Sequence, residues 1–283
     1  MRVSCALFGQ EALETFSEPK TALYQHRLNI RSKKIFIDGA LGSRGAWLTQ
    51  PYHDEPKSWG FQLCNEKQLL ELVRSSIQKR FQLIFHTLGD QSSQWVLKTL
   101  AKKYKPQDLS NKRFRFEHLE VIQPKTISLM KDFGMIASVQ PWHALSDSAW
   151  LEKRLGQERL DQVSVIKKMV MGGLHVCGGS DAPIEPHDPM KGLYAAILRR
   201  PLSNKSNTSW LLSQRLTVKE AIKMYTIEGA YAEFLEHVKG TLELGKLADF
   251  AVLSDDIFDM HPRYFLEVKN LMTVVGGKIV YEQ

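Results

Sequence analysis

Three apolar runs in this chain lead into side chains that bind metal ions. Phe81-Gln82-Leu83-Ile84-Phe85 ends in His86, and Phe114-Arg115-Phe116-Glu117 ends in His118. Leu174 to Cys177 leads through two glycines and Ser180 to Asp181. Each run has the length and apolar content of a buried strand. A polar side chain at the C-terminal end of a strand lies where a parallel α/β barrel keeps its chemistry. Two histidines and a carboxylate brought to one rim describe a divalent-metal hydrolase, in which the ion activates water. A lone histidine after an apolar run is ordinarily a hydrogen-bonded structural residue; two in register with a strand-end aspartate favour a metal. The spacing of 32 from His86 to His118 fits one strand–helix repeat, which places the imidazoles on adjacent strands.

Lys34 lies in the run Lys34-Ile35-Phe36-Ile37-Asp38-Gly39. An ammonium group within a buried run is costly. A carbamylated lysine removes that cost, because its tip becomes an anionic oxygen ligand. The alternative is that Lys33 or Lys34 snorkels to water at the strand start.

The elements that must position these residues alternate between strand and helix. Strands are expected at Val3–Phe8, Lys34–Ile37, Leu83–His86, Arg115–His118, Ile136–Gln140 and Leu174–Gly178. Helical periodicity fills the intervals at Glu66–Lys79, Gln91–Tyr104, Pro124–Phe133 and Asp161–Met171, with Asp90 a candidate cap and Pro124 suited to a first turn. Each interval has the length of a crossover, so the sheet is parallel and the class is α/β. Thr217–Glu236 reads as a further helix, opened by a Thr217–Glu220 capping box. From about residue 238 the pattern changes to short β segments, including a hairpin turning at Gly276-Gly277.

Composition narrows the function. With 283 residues, 43% hydrophobic and 24% charged, the chain suits a soluble protein of one α/β barrel or two smaller domains. No apolar run approaches the roughly 18 residues of a membrane span, so no membrane partner is expected. Three cysteines without metal or redox spacing argue against a disulfide framework and fit a reducing cytoplasm. The net charge of +7 comes from scattered lysines and arginines, with no basic tract interleaved by aromatics, so nucleic acid is not the expected partner.

Taken in order, Lys34-Ile-Phe-Ile-Asp38-Gly39-Ala-Leu-Gly-Ser-Arg44, His86-Thr-Leu-Gly89-Asp90, Arg115-Phe-Glu117-His118, Gln140-Pro141-Trp-His143 and Gly179-Ser-Asp181-Ala-Pro183 resemble the amidohydrolase superfamily. The branch they resemble is the one grouped with N-substituted formamide deformylases. Gly240-Thr-Leu-Glu-Leu-Gly245-Lys-Leu-Ala-Asp249 is similar to that family's return into a β-sandwich. The resemblance implies a metal-dependent (β/α)₈ barrel flanked by a sandwich built from both ends of the chain. It implies Lys34 on strand four as a carboxylated ligand, His86 on strand five, His118 on strand six and Asp181 on strand eight. Asp181 would be both metal ligand and general base for water attack on a small amide, while Gln140, His143, Asp38 and Arg44 would bind substrate.

The family's His-x-His pair on strand one has no counterpart, because no two of the nine histidines stand two apart. The resemblance therefore makes Val3–Phe8 strand three. The expected fold is an incomplete barrel of strands three to eight in residues 1–237, with residues 238–283 contributing one part of a composite β-sandwich. Lys34, His86 and His118 would hold one weak Zn²⁺, and a second only if the absent ligands are supplied. Open sheet edges suggest a partner, either a second copy in a homo-oligomer or an N-terminal complementing chain. The alternative is a catalytically silent remnant.

Overall fold

In the computed structural model, which describes residues 1–9, 14–201 and 211–283, the runs ending in His86 and His118 are neighbouring parallel strands. The chain forms two compact units, one of residues 1–138 and 150–175, the other of residues 139–149 and 176–283.

In the first unit, β1 (Val3–Leu7), β3 (Leu28–Phe36), β4 (Gln82–Thr87), β5 (Arg115–His118) and β6 (Ile136–Val139) lie side by side in that order and run parallel. The short β2 (Lys20–Ala22) pairs antiparallel with β3. Crossovers carry α1 (Glu66–Gln78), α2 (Asp90–Ala101) and α3 (Pro124–Asp132), and α4 (Ile166–Met171) precedes β7 (His175–Gly178). This is the α/β alternation of an incomplete TIM-type barrel.

Local chemistry sets the helix limits. Asn65 and Gln68 close a reciprocal capping box, each side chain accepting the other's backbone N–H at 3.0 Å, and α1 buries Leu69 and Val73. Pro124 opens α3 where no intrahelical N–H is needed. Gly134 follows it at φ +62°, where an added Cβ would lie 2.4 Å from Ser110 O.

Register separates the two faces of this sheet. Lys34 pairs with Ile84, Phe36 with His86, and His86 with Glu117. Period-two alternation therefore puts Lys34, Phe36, His86, Arg115 and Glu117 on one face. The opposite face holds Lys33, Leu83, Phe85 and Phe116, each at most 1% exposed. Phe85 packs its ring 5.1 Å from Phe116 and 6.0 Å from Phe114. This face is the core, joined by Val96, Leu97 and Leu100 of α2.

Several expected boundaries move, and the helix expected from Asp161 starts at Ile166. β3 starts six residues before Lys34, because Leu28, Asn29 and Ile30 pair with β1. Asp90 is the first residue of α2, not its cap, and Gly89 takes the cap position. The long helix expected from Thr217 to Glu236 is broken at Thr226 (φ −126°, ψ −94°) into α6 (Val218–Tyr225) and α7 (Ile227–Ala232).

The second unit starts at the last residue of β6, Val139, whose carbonyl accepts the N–H of Gly179 at 3.0 Å beyond β7. It contains α5 (Pro189–Leu198), α6, α7 and a small antiparallel sheet. That sheet has the order β10 (Lys278–Glu282), β9 (Asn270–Val275), β8 (Phe250–Leu253), with Gly276-Gly277 forming the expected hairpin turn. Every residue of β10 is exposed. No helix of the described residues is long and apolar enough to cross a membrane.

Candidate metal centre

The C-terminal ends of β3, β4 and β5 bring Lys34, His86 and His118 into one neighbourhood of the first unit. His118 pairs with Thr87, so plain alternation would turn its side chain away from His86. The backbone intervenes: His118 and Leu119 adopt φ +75° and +50°, a left-handed turn uncommon for residues with a Cβ. Such a conformation costs about 1–3 kcal/mol and persists where surrounding structure enforces it. Leu119 N–H donates to Thr87 O at 2.9 Å and Val121 N–H to Leu88 O at 2.9 Å, which fix the turn. As a result His118 Nε2 stands 3.0 Å from His86 Nδ1, with the rings edge to face at 4.5 Å.

Burial pushes the His86 imidazole down to about 3, and the adjacent His118 and Lys34 add to the effect. His86 is therefore neutral near pH 7, the form in which an imidazole nitrogen can donate to a metal. Two imidazole nitrogens each about 2.0–2.1 Å from one tetrahedral ion stand about 3.3 Å apart. The observed 3.0 Å is within a few tenths of that, so the pair fits two ligands of one ion. Among the described residues no group of three or more His, Cys, Asp or Glu side chains is placed to hold a metal. The imidazoles thus need a further donor of another kind.

The register separates the two lysines. Lys33 points into the core, its Nζ 4.6 Å from the centre of the Phe81 ring, and burial followed by Lys79 lowers its pKa. Lys34 lies on the face of His86, with Nζ 5.0 Å from the Phe36 ring centre. The Phe36 ring is itself 4.4 Å from the imidazole of His86.

Asp38 is fully buried, and its carboxylate accepts the N–H groups of Trp47 (2.9 Å), Leu88 (3.0 Å) and Gly89 (2.8 Å). Arg44 holds Asp54 through two hydrogen bonds of 3.0 and 2.9 Å, and Arg154 joins the same carboxylate. Asp90 accepts from Thr49 N–H at 2.9 Å and from Gln123 Nε2 at 2.6 Å.

Gln140, His143 and Asp181 belong to the second unit. Gln140 is buried, and its carbonyl accepts the His143 N–H at 3.1 Å at the start of a single helical turn, His143–Ser146. Asp181 lies three residues beyond the end of β7, exposed, at φ +58°, with its carbonyl accepting the Ile184 N–H at 2.9 Å.

Reading the sequence for ligand types passes over Glu117 and Arg115, which pair at 2.6 Å on the face of His86. Their signal was the alternation within Arg115-Phe-Glu-His118. Asp54 and Arg154 were also missed, because they meet across 100 residues of chain.

Comparison with known proteins supplies the lineage. The profile of the amidohydrolase family matches residues 1–281. The Bacillus subtilis protein YtcJ is 36% identical over 252 residues, 88% of this chain and 47% of that protein. N-substituted formamide deformylase of Arthrobacter pascens is 24% identical over 276 residues, 96% of this chain and 49% of that enzyme. The crystal structure of an uncharacterised metal-dependent hydrolase from Pyrococcus horikoshii OT3 superposes with a TM-score of 0.77 at 25% identity, covering 90% of this chain and 50% of that one. The chain spans about half the length of the curated relatives it matches.

Proposed function

Because the chain belongs to the amidohydrolase family, a lineage of metal-dependent hydrolases, we propose that it acts on carbon–nitrogen bonds of small, non-peptide amides. The observation that carries this reading is the 3.0 Å approach of His86 Nδ1 and His118 Nε2 beside Lys34. Zinc suits two imidazoles, and a carboxylated Lys34 would add an oxygen ligand. When bound, the ion supplies Lewis-acid polarisation and a water of lowered pKa.

The remaining work falls to the chain's own side chains. Asp181 acts as general base, taking a proton from the attacking water and returning it to the departing nitrogen. Gln140 and His143 offer an amide and an imidazole to hold the substrate. Arg44 and Asp38 are engaged by Asp54 and by backbone amides, so their part in substrate binding is to shape the loop after β3. The substrate class is supported by the formamide deformylase among the relatives.

A partner is part of this reading. Phe250, Val252, Ile279 and Val280 are between 37% and 56% exposed on the small sheet. Exposed apolar residues in such a group mark an interaction surface. With relatives about twice as long, this supports a covering polypeptide, either an N-terminal complementing segment or a second copy.

The test is hydrolysis of an N-substituted formamide by zinc-loaded protein, alone and with the complementing half of YtcJ. The reading expects zinc-dependent turnover that falls by about 10²–10⁴ in Asp181→Asn. Turnover unaffected by chelation or by Asp181→Asn would contradict it.

A further inference from the structure

We infer that Asp38 is a positioning residue that ties the loop after β3 to the loop after β4 and so, through Leu88, whose carbonyl accepts Val121 N–H beside the His118 turn, fixes the spacing of His86 and His118. The inference rests on the metal reading proposed for those two side chains. The last bond of the β3–β4 ladder is the Ile37 N–H to His86 O contact at 3.1 Å. Beyond it nothing in regular strand pairing holds the two chain ends together. Asp38 follows at once, fully buried, and takes the N–H groups of Leu88 and Gly89 with one oxygen each.

A second contact closes the lock. The same carboxylate accepts Trp47 N–H, while Trp47 O accepts Gln91 N–H at 3.1 Å in the first turn of α2. Trp47 thereby approaches so closely that a Cβ on Gly89 would lie 2.0 Å from its carbonyl oxygen. The carboxylate also sits at the N-terminus of a 12-residue helix, where the macrodipole favours negative charge. Three amide donors from two loops converge on one side chain, so its loss would release both. Groups that orient metal ligands without touching the ion typically cost 10–100-fold in metal affinity when removed.

The experiment compares the full chain with Asp38→Asn, which keeps the shape but sets an NH₂ against one of the amides. Two readouts are needed: hydrogen exchange at residues 45–50 and 86–92, and titration with Co²⁺ followed by its d–d absorption. The expected result is exchange at least about tenfold faster in both segments, unchanged exchange in α1, and Co²⁺ affinity weakened about 10–100-fold. Unchanged exchange overturns the lock; faster exchange with unchanged Co²⁺ affinity overturns the positioning role. If the parent takes no Co²⁺, the metal reading fails by itself, and the lock is then judged by the exchange arm alone. Should the Asn variant not fold, Ser92→Ala removes one hydroxyl beside Asp38. It should weaken Co²⁺ binding about fivefold, and no change would overturn the inference.

Discussion

The two sheets of this protein are built from similar residues and meet water in opposite ways. On the core face of β3–β5, Leu83, Phe85 and Phe116 are 0% exposed; on the small sheet, Ile279 and Val280 are 56% and 50% exposed. The difference is one of partners. The parallel strands are joined by α1, α2 and α3, whose apolar faces cover one side and leave the other to Lys34, His86 and Glu117. A parallel sheet covered this way can present polar groups at its strand ends without losing its core. The β8–β10 sheet keeps apolar side chains open to water, with area still to bury.

Substitutions sharpen that contrast. Phe116→Ala should destabilise the chain by about 3–5 kcal/mol in a denaturant titration, because it removes a fully buried ring in contact with Phe85. A loss below about 1 kcal/mol would show that the core face is not the main source of stability. Asp38 supplies the next largest effect, as a dependence on pH. Burial outweighs three backbone donors and raises its carboxyl from 3.8 to about 6. The folded state therefore holds this proton more tightly than the unfolded state. Its contribution is greatest below pH 4 and declines by about 3 kcal/mol as pH rises through 6. Asp38→Asn should flatten that part of the stability–pH curve, and an unchanged slope would refute the assignment.

Lys33 is a buried cation on the core face, so Lys33→Met should raise the unfolding midpoint at pH 7. Its pKa is lowered in the folded state, so the penalty for charge is largest below the folded value and fades as pH approaches 10.5. The advantage of the Met variant should shrink over that window. A gain that is constant with pH would point to packing alone. Smallest of all, Val280→Ala should change the stability of the isolated chain by less than about 0.5 kcal/mol. It should become costly only when a covering polypeptide is added, and a large loss without one would show that β10 is already packed.

Much of this arrangement was legible before the coordinates, for reasons that can be named. Apolar runs closing in histidine located β4 and β5, and Arg115–His118 matched to the residue because its alternation is short and strong. The hairpin at Gly276-Gly277 was visible because only glycine enters both of its left-handed positions without strain. What failed to show were properties of register and distance. One residue of slip exchanges the faces of a strand, so no reading of Lys33-Lys34 alone could tell which lysine faces the imidazoles. The early start of β3 was hidden because Asn29, Arg31 and Ser32 lack an apolar pattern; pairing with β1 makes it a strand. Nor could the sequence pair Asp38 with Leu88 and Gly89, 50 and 51 residues away. The break at Thr226 also departs from an unbroken helical periodicity.

X-ray absorption at the zinc edge of the zinc-loaded chain, with His86→Ala and His118→Ala beside it, tests the metal centre most directly. The expected spectrum shows light-atom scatterers at about 2.0–2.1 Å with imidazole multiple scattering from two rings, falling to one in each variant. Zinc bound with no imidazole signature, or held equally well by both variants, would contradict the assignment of these strand ends as ligands.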